Sequence, residues 1–477
     1  MESLTREEMG RVERVSDSIS LDEATELIQA GKERSAESKR PVVVSLTRPF
    51  PIEIDSVQLF HAGTRIDSTR NYWALPAEES WTVSVGEAAE ISVKGPKRFQ
   101  QAAATLRDLI SSAIVEDNGG PGLVFSGGFR FNPGLPADDP WREFHDGLLT
   151  LPRWMVTSQS NGKRWVTINT VVNDHANVDS ARKELADQAT ELFDSRTELA
   201  KDDGVLMKAE LTTNGWRRNV GEVLTAIKDE KLTKVTLARV MKLSAETPAP
   251  PEAVLRNLAS NYPECRIFAF CRNQISFVGA SPEELVNLRG EKVTSTCLAG
   301  SAPRGVSQKE DAEFSSWLLE NAKERREHAV VVEWIAQRMG SLCSKLQWDD
   351  VPHIVRLGNV QHLGTKFVGT PKTGCDILAL VEALHPTPAV GGIPLEPAME
   401  MIGRLEDFDR GWYTGPVGWV DRFGNGEFAI AIRCALLRGN EAFLYAGAGI
   451  VSGSEPDRED HETTMKFKPL LTALGAT

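Results

Sequence analysis

The sequence predicts an α+β protein built mainly on antiparallel sheet, and three observations predict it. Runs of β-branched and aromatic residues bounded by Gly, Pro and Asn recur along the chain, as in "PVVVSL", "GLVFSGGFRF" and "RWVTINTVV". The last third closes in a meander, "GPVGWVD", "EFAIAIRCALL" and "AFLYAGAGIV", turned by "RFGNG" and "RGN", connections whose length and glycine content mark hairpins. There is no βαβ rhythm and no GxGxxG or GxxxxGK[ST] loop, which sets nucleotide-binding folds aside.

Taken in order, residues 1–40 read as a polar extension that packs at an edge through the weakly amphipathic "LDEATELIQAG". Residues 41–205 form a β-rich half, interrupted by helices at "PKRFQQAAATLRDLISSAIV" and "DSARKELADQATELFDSR". The polar "TELAKDDG" (197–204) is the best linker candidate. Residues 206–477 form the second half, opening with the helix "NGWRRNVGEVLTAIKDEKL" and the strand "KVTLARVMKL". A β-rich block follows to about 305, then a helix of roughly thirty residues at 308–340, long for a globular domain. Two more β pieces and a helix lead into the meander.

At 477 residues, 41% hydrophobic and 25% charged, the chain has the composition of a globular protein with a full core. Its 54 basic and 67 acidic residues, net −13, argue against binding to nucleic-acid backbone, although a pocket can still be locally positive for a small anion. Six cysteines form no CxxC pair, which suits buried thiols in a reducing compartment. The charged N-terminus has no apolar core of a signal peptide, and no run approaches the ~20 apolar residues of a membrane span. A cytoplasmic protein without a membrane partner is the expectation.

Two acidic pairs stand out. In "KERREH", Glu324 and Glu327 are three apart and share a helix face, while Lys323, Arg325 and Arg326 read as a solvated face. Glu459 and Glu462 repeat that spacing, with Lys466 one turn later; first-turn acidic charge and an i,i+4 ion pair explain this segment equally well on its own. Four carboxylates in one pocket would repel each other unless a cation sat among them, and all-oxygen ligation suits Mg²⁺. Spacing alone does not say whether the two helices meet.

In "EFAIAIRCALL" the alternation puts Phe428, Ile430, Ile432, Cys434 and Leu436 on one face and Glu427, Ala429, Ala431, Arg433 and Ala435 on the other. The alanines leave space around Arg433, whose fork suits a carboxylate. An Arg paired to Glu427 or another acid on a covered sheet is the plainer reading and weighs heavier on the strand pattern alone. Gly447 and Gly449 in the next strand let a ligand approach backbone. Lys234 begins a strand, facing the same way as Thr236 and Ala238, and Glu283 follows a Gly-Ala-Ser-Pro turn. Either is ordinary surface charge unless its surroundings bring the Lys well below ~10.4 or the Glu above ~4.3.

Nine stretches, "KVTLAR", "FVGASPE", "LAGSAPRG", "KERREH", "NVQHLGTKFVG", "LHPTPAVGGIP", "WYTGPVGWVDRFGNGEFAIAIRC", "LYAGAGIV" and "ETTMKFKPL", together resemble the chorismate-utilising enzymes: the isochorismate, salicylate, anthranilate and aminodeoxychorismate synthases. They fall in the family's order over about 212–472, and "GGFRF" at 127–131 resembles its N-terminal half more loosely. The resemblance implies one large unit, two mostly antiparallel sheets packed as a sandwich with surrounding helices, and so turns the linker at 197–204 into a connection inside one fold. It implies Mg²⁺ held directly by Glu327 and Glu462, with Glu324 and Glu459 reaching the ion through water. Gly300 and Ser301 would help hold the ring carboxylate of chorismate; Tyr413, Arg433, Gly447 and Lys466 would hold the pyruvyl carboxylate, with His385 a third catalytic residue near the ring and its leaving group.

Lys234 matches the base of the water-using members, which deprotonates the water that attacks C2, and Glu283 the acid that protonates the departing C4 hydroxyl. Ammonia-using members typically carry Gln at the position of Lys234, and Ala299 cannot form the covalent adduct made by a Lys there in aminodeoxychorismate synthases. No glutaminase subunit is expected. Salicylate synthases share these residues; "ERREHAVVVEWI", the long meander motif and the full N-terminal half are most similar to menaquinone-pathway isochorismate synthases.

Overall fold

The computed structural model describes residues 19–134, 140–193, 208–211, 215–358 and 360–476; the linker candidate at 197–204 and most of the first twenty residues lie outside these. The helix Leu21–Ser38 buries Ala24, Leu27 and Ile28 in the main core together with the strand Val42–Pro49. The expected packing through "LDEATELIQAG" takes the form of this helix.

Among the described residues, strand pairing runs unbroken through 21 strands and is antiparallel except where Val42–Pro49 meets Ile114–Glu116. Two sheets share one long antiparallel strand pair, Ser80–Val93 with Gly147–Ser158, which changes register between Glu87 and Ala89. One sheet leaves this pair through Arg70–Leu75, Arg266–Arg272, Ile275–Ser281, Cys434–Arg438 and Glu441–Val451 to Lys234–Ser244. The other leaves it through Val124–Phe129, Pro416–Asp421, Gly426–Ile430, Glu284–Arg289 and Lys292–Pro303 to Val360–Pro371. Aromatic side chains of the first sheet pack with those of two loops: Trp412 lies edge-on to Phe144, Phe270 and Phe277. Such edge-to-face pairs add roughly 0.5–1.5 kcal/mol each to the burial of their area. The predicted α+β sandwich is thus observed as one unit. No helix among the described residues is long and apolar enough to cross a membrane, and all six cysteines are unpaired.

Two elements differ from the sequence reading. The thirty-residue helix is two, Gln308–Glu320 and Ala322–Leu342. Asn321 breaks the run: its side chain accepts from the N–H groups of Lys323 (3.0 Å) and Glu324 (3.1 Å) and caps the second helix. Such a cap contributes about 1 kcal/mol and starts a new axis at the "KERREH" segment. The strand through "EFAIAIRCALL" is also two, Gly426–Ile430 and Cys434–Arg438. Arg433 between them has φ 51°, in the left-handed region that non-glycine residues rarely occupy. The alternation stops there and the chain passes from one sheet to the other.

Candidate active site

Lys234 is the first residue of the strand Lys234–Ser244 and only 1% exposed. Its Nζ donates to Glu327 Oε1 at 2.8 Å. The strand Glu441–Val451 runs alongside, with Gly449 opposite Thr236 and Val451 opposite Lys234. A Cβ at Gly449 would lie 2.7 Å from Glu327 Oε1 and 2.9 Å from Lys234 Cε, so the missing side chain makes room for the ion pair.

The two acidic helices do meet. Glu324 Oε2 accepts from the N–H of Ser301 at 3.0 Å. Gly300 makes that approach possible: with φ 76° it sits at the register shift between Ala299 and Ser301, and a Cβ there would crowd Glu324 at 3.3 Å. Lys323 donates to Glu459 at 3.3 Å and lies 3.7 Å from Glu324. It is therefore a bridge between the pairs and not part of the solvated face, which is confined to Arg325 and Arg326. Lys466 donates to Glu462 at 2.6 Å and to the carbonyl of Gly447 at 2.9 Å. Burial, then the neighbouring charge of Glu327, pushes Glu324 up; burial and Glu462 do the same to Glu459. Burial would push Glu462 up as well, but the charge and hydrogen bond of Lys466 bring it below its ordinary value.

All but three of the sequence-named residues line one cavity between these elements; the exceptions are Glu324, Glu459 and His385. Glu283 lies in it, with a carboxyl raised to about 7 by burial against the opposing pull of Arg433, Lys234 and Lys466. A carboxyl so placed holds a proton near neutral pH. Arg433 is not paired to Glu427, whose carboxylate goes to Arg266 at 2.5 Å. The left-handed backbone turns Arg433 into the cavity, where burial leads the effects on its guanidinium and Tyr413 is the next influence. The Tyr413 ring stacks on Tyr445 at 5.1 Å, and its hydroxyl would be 3.0 Å from a Cβ at Gly447.

His385 is placed differently. Its ring stands edge-on to Phe99 and Phe131, and Nε2 lies 3.3 Å from the Phe131 carbonyl. Burial and the charge of Arg98 push it down to about 3. Aromatic packing therefore keeps this ring behind the wall rather than on it; the loop it begins reaches the cavity through Ala389 and Val390.

Sequence reasoning assigned no role to His362, which does line the cavity. Its Nδ1 lies 3.2 Å from the Gly300 carbonyl and 3.0 Å from Ser301 Oγ. Burial and the charges of Arg433 and Lys466 push it down to about 3, so the ring is neutral. One His inside a β-branched run has no partner at fixed spacing to mark it. His328, at the end of "KERREH", is structural: its Nδ1 donates to the Ala299 carbonyl at 3.2 Å, and its Nε2 lies 2.8 Å from Thr365 Oγ1.

A family profile described as chorismate binding enzyme matches residues 26–475. The isochorismate synthase MenF of Bacillus subtilis (strain 168) is 34% identical over 454 residues, covering 93% of this chain and 95% of that protein. The salicylate biosynthesis isochorismate synthase of Pseudomonas aeruginosa is 34% identical over 449 residues, covering 92% and 91%. Among solved structures, MenF, the menaquinone-specific isochorismate synthase from Escherichia coli, superposes with a TM-score of 0.76 at 25% identity, over 94% of this chain and 99% of that one. A profile match over nearly the whole length, with relatives at this identity and coverage, establishes that the chain belongs to the chorismate binding enzyme family.

Proposed function

We propose that the chain is an isochorismate synthase, converting chorismate reversibly to isochorismate by adding water at C2 and releasing the C4 hydroxyl. One observation carries the reading: a buried lysine and a carboxyl raised to about 7 line the same cavity. In its neutral amine form, having given up the proton it shares with Glu327, Lys234 takes a proton from the attacking water as the water oxygen bonds to C2; Glu283 gives its proton to the C4 oxygen, which leaves as water. Hydroxide is a poor leaving group, so this protonation accompanies the attack. The two groups then return to their starting states by exchanging protons with solvent.

Arg433, Tyr413, Lys466 and the backbone of Gly447 hold the pyruvyl carboxylate, and Gly300 and Ser301 help hold the ring carboxylate. Because the Ser301 N–H already serves Glu324, Ser301 offers the substrate its hydroxyl. His385 shapes the wall through the loop it begins and moves no proton.

The donor set fits Mg²⁺. It is oxygen-only, two of its carboxylates are raised by burial and like charge, and a hard cation would relieve that repulsion. Among the described residues no three such side chains form a closed cage; Mg²⁺ commonly takes one or two carboxylates and keeps waters or substrate oxygens. Glu327 and Glu462 would ligate it directly, with Glu324 and Glu459 behind. Bound there, the ion would polarise and anchor the substrate carboxylate. Base and metal share Glu327, so the two functions are coupled through one side chain.

We further place the enzyme in the cytoplasm, where its six unpaired cysteines suit a reducing compartment, acting without a glutaminase subunit and supplying a menaquinone-type pathway. Incubation with chorismate and Mg²⁺, followed by chromatography, tests the reading. Isochorismate is the expected product; salicylate with pyruvate would make the chain a salicylate synthase, and no turnover would refute both.

A further inference from the structure

The Lys234 strand lacks a complete neighbour on its outer edge. Among the described residues, Gly392 and Ile393 pair with Val235 and Lys234, and Lys208–Leu211 pairs with 241–244. Between these, Thr236 and Ala238 face no strand. An unpaired buried backbone group is costly, so something must satisfy them. Gly391, Glu406 and Arg410 supply partners: Thr236 N–H donates to the Gly391 carbonyl at 2.8 Å, Ala238 N–H to Glu406 Oε1 at 2.8 Å, and Arg410 Nη2 to the Thr236 carbonyl at 2.8 Å. The two side chains are themselves joined through both carboxylate oxygens, Nε to Oε2 at 2.7 Å and Nη2 to Oε1.

The guanidinium has further partners. Its Nη1 donates to the Val390 carbonyl at 2.9 Å and to Thr414 Oγ1 at 3.3 Å. Thr414 has φ 60°, strained for a β-branched residue, and such strain persists only where the surroundings over-determine it. The fork also lies over Phe131, 4.3 Å from its ring centre. Thr236 completes the connection by donating from Oγ1 to Ala389 O at 3.0 Å. Three separate pieces of the cavity wall thus converge on one side chain: the strand of Lys234, the segment Ala389–Val390 and the turn Tyr413–Thr414.

We propose that Arg410, clamped by Glu406, is a positioning residue for the isomerisation, standing in for the missing strand and fixing Lys234 relative to the opposite walls. A fully buried ion pair is a poor device for stability alone, since desolvation offsets most of its attraction. What it supplies is geometry: only a planar fork with donors on three nitrogens can serve a carbonyl on each of two chain segments while staying bidentate on a carboxylate. The inference rests on Lys234 acting as the base.

Arg410→Lys, Arg410→Gln and Glu406→Gln would be assayed beside the wild type for isochorismate formation, with the folded fraction followed by circular dichroism and thermal melting. The expected result is a ten- to hundredfold fall in kcat per folded molecule, the scale of a misplacement of about 1 Å, with KM for chorismate changed less than threefold. If Arg410→Gln does not fold, Arg410→Lys and Glu406→Gln decide. A kcat within twofold of wild type in the folded variants overturns the proposal, as does a loss that only follows the unfolded fraction. A wild type that makes no isochorismate would instead refute the functional reading, so the two failures are distinguishable.

Discussion

Lys234 Nζ and Glu327 Oε1 lie 2.8 Å apart, in space that exists because residue 449 is glycine. The ion pair is therefore built by three elements: the strand that starts at Lys234, the helix that carries Glu327 and the strand that lacks a side chain at 449.

Gly449→Ala tests that packing. The added methyl would push Glu327 and Lys234 apart at distances that real Cβ atoms do not show. Overpacking of this kind costs roughly 1–3 kcal/mol. The expected outcome is a modest loss of thermal stability with a much larger loss of kcat, measured on the same preparation. Wild-type activity in the alanine variant would show that the pair is not held as tightly as the geometry indicates.

Glu283 predicts a pH dependence of two kinds. Its carboxyl titrates at about 7 in the folded chain against an ordinary value of 4.5. As the acid it works protonated, so kcat/KM, which reports the free enzyme, falls as pH rises through about 7. Stability moves the same way: the raised carboxyl favours the fold fully below 4.5, and this contribution is lost as pH climbs to about 7, for a total of about 3 kcal/mol. Glu283→Gln removes both dependences. It should turn over chorismate ~10²–10⁴-fold more slowly, yet unfold at higher urea than wild type at pH 8. Urea melts at pH 5 and pH 8 check the second expectation independently of activity.

The acidic pairs predict graded metal dependence. Chelation should abolish turnover and added Mg²⁺ restore it. Glu327→Gln and Glu462→Gln remove direct ligands and should stay inactive at any Mg²⁺ concentration. Glu324→Gln and Glu459→Gln, one shell out, should weaken apparent Mg²⁺ affinity 10–100-fold with kcat recovered at saturation. Titration calorimetry in buffers of differing ionisation heat should show proton release on binding that grows as pH falls, because Glu324 and Glu459 both sit above their ordinary values. Equal effects from all four substitutions would contradict the division into direct and outer carboxylates.

Much of this was legible in the sequence, for identifiable reasons. Period-two runs and glycine turns mark strands whatever their partners, so the antiparallel sheet and the start of the Lys234 strand could be read directly. The spacing of Glu324 with Glu327 and of Glu459 with Glu462 survives in the helices that carry them. What spacing could not give was the meeting of those helices, which depends on Lys323 bridging to Glu459. Nor could it show the break at Arg433, since Ala431, Ile432 and Arg433 continue the alternation while the backbone turns left-handed. The cap at Asn321 was not read, because the charged and apolar run around it continues as one helix. Nothing in the sequence marked Glu406 and Arg410, because their partners include backbone groups distant in sequence.

The central claim is that Lys234 activates the attacking water, and Lys234→Gln tests it most directly. Glutamine keeps a donor for Glu327 but cannot accept the proton. With Mg²⁺ and chorismate the variant should form no isochorismate while melting cooperatively and still gaining thermal stability from the ligand. Isochorismate formed by that variant at the wild-type rate would contradict the account.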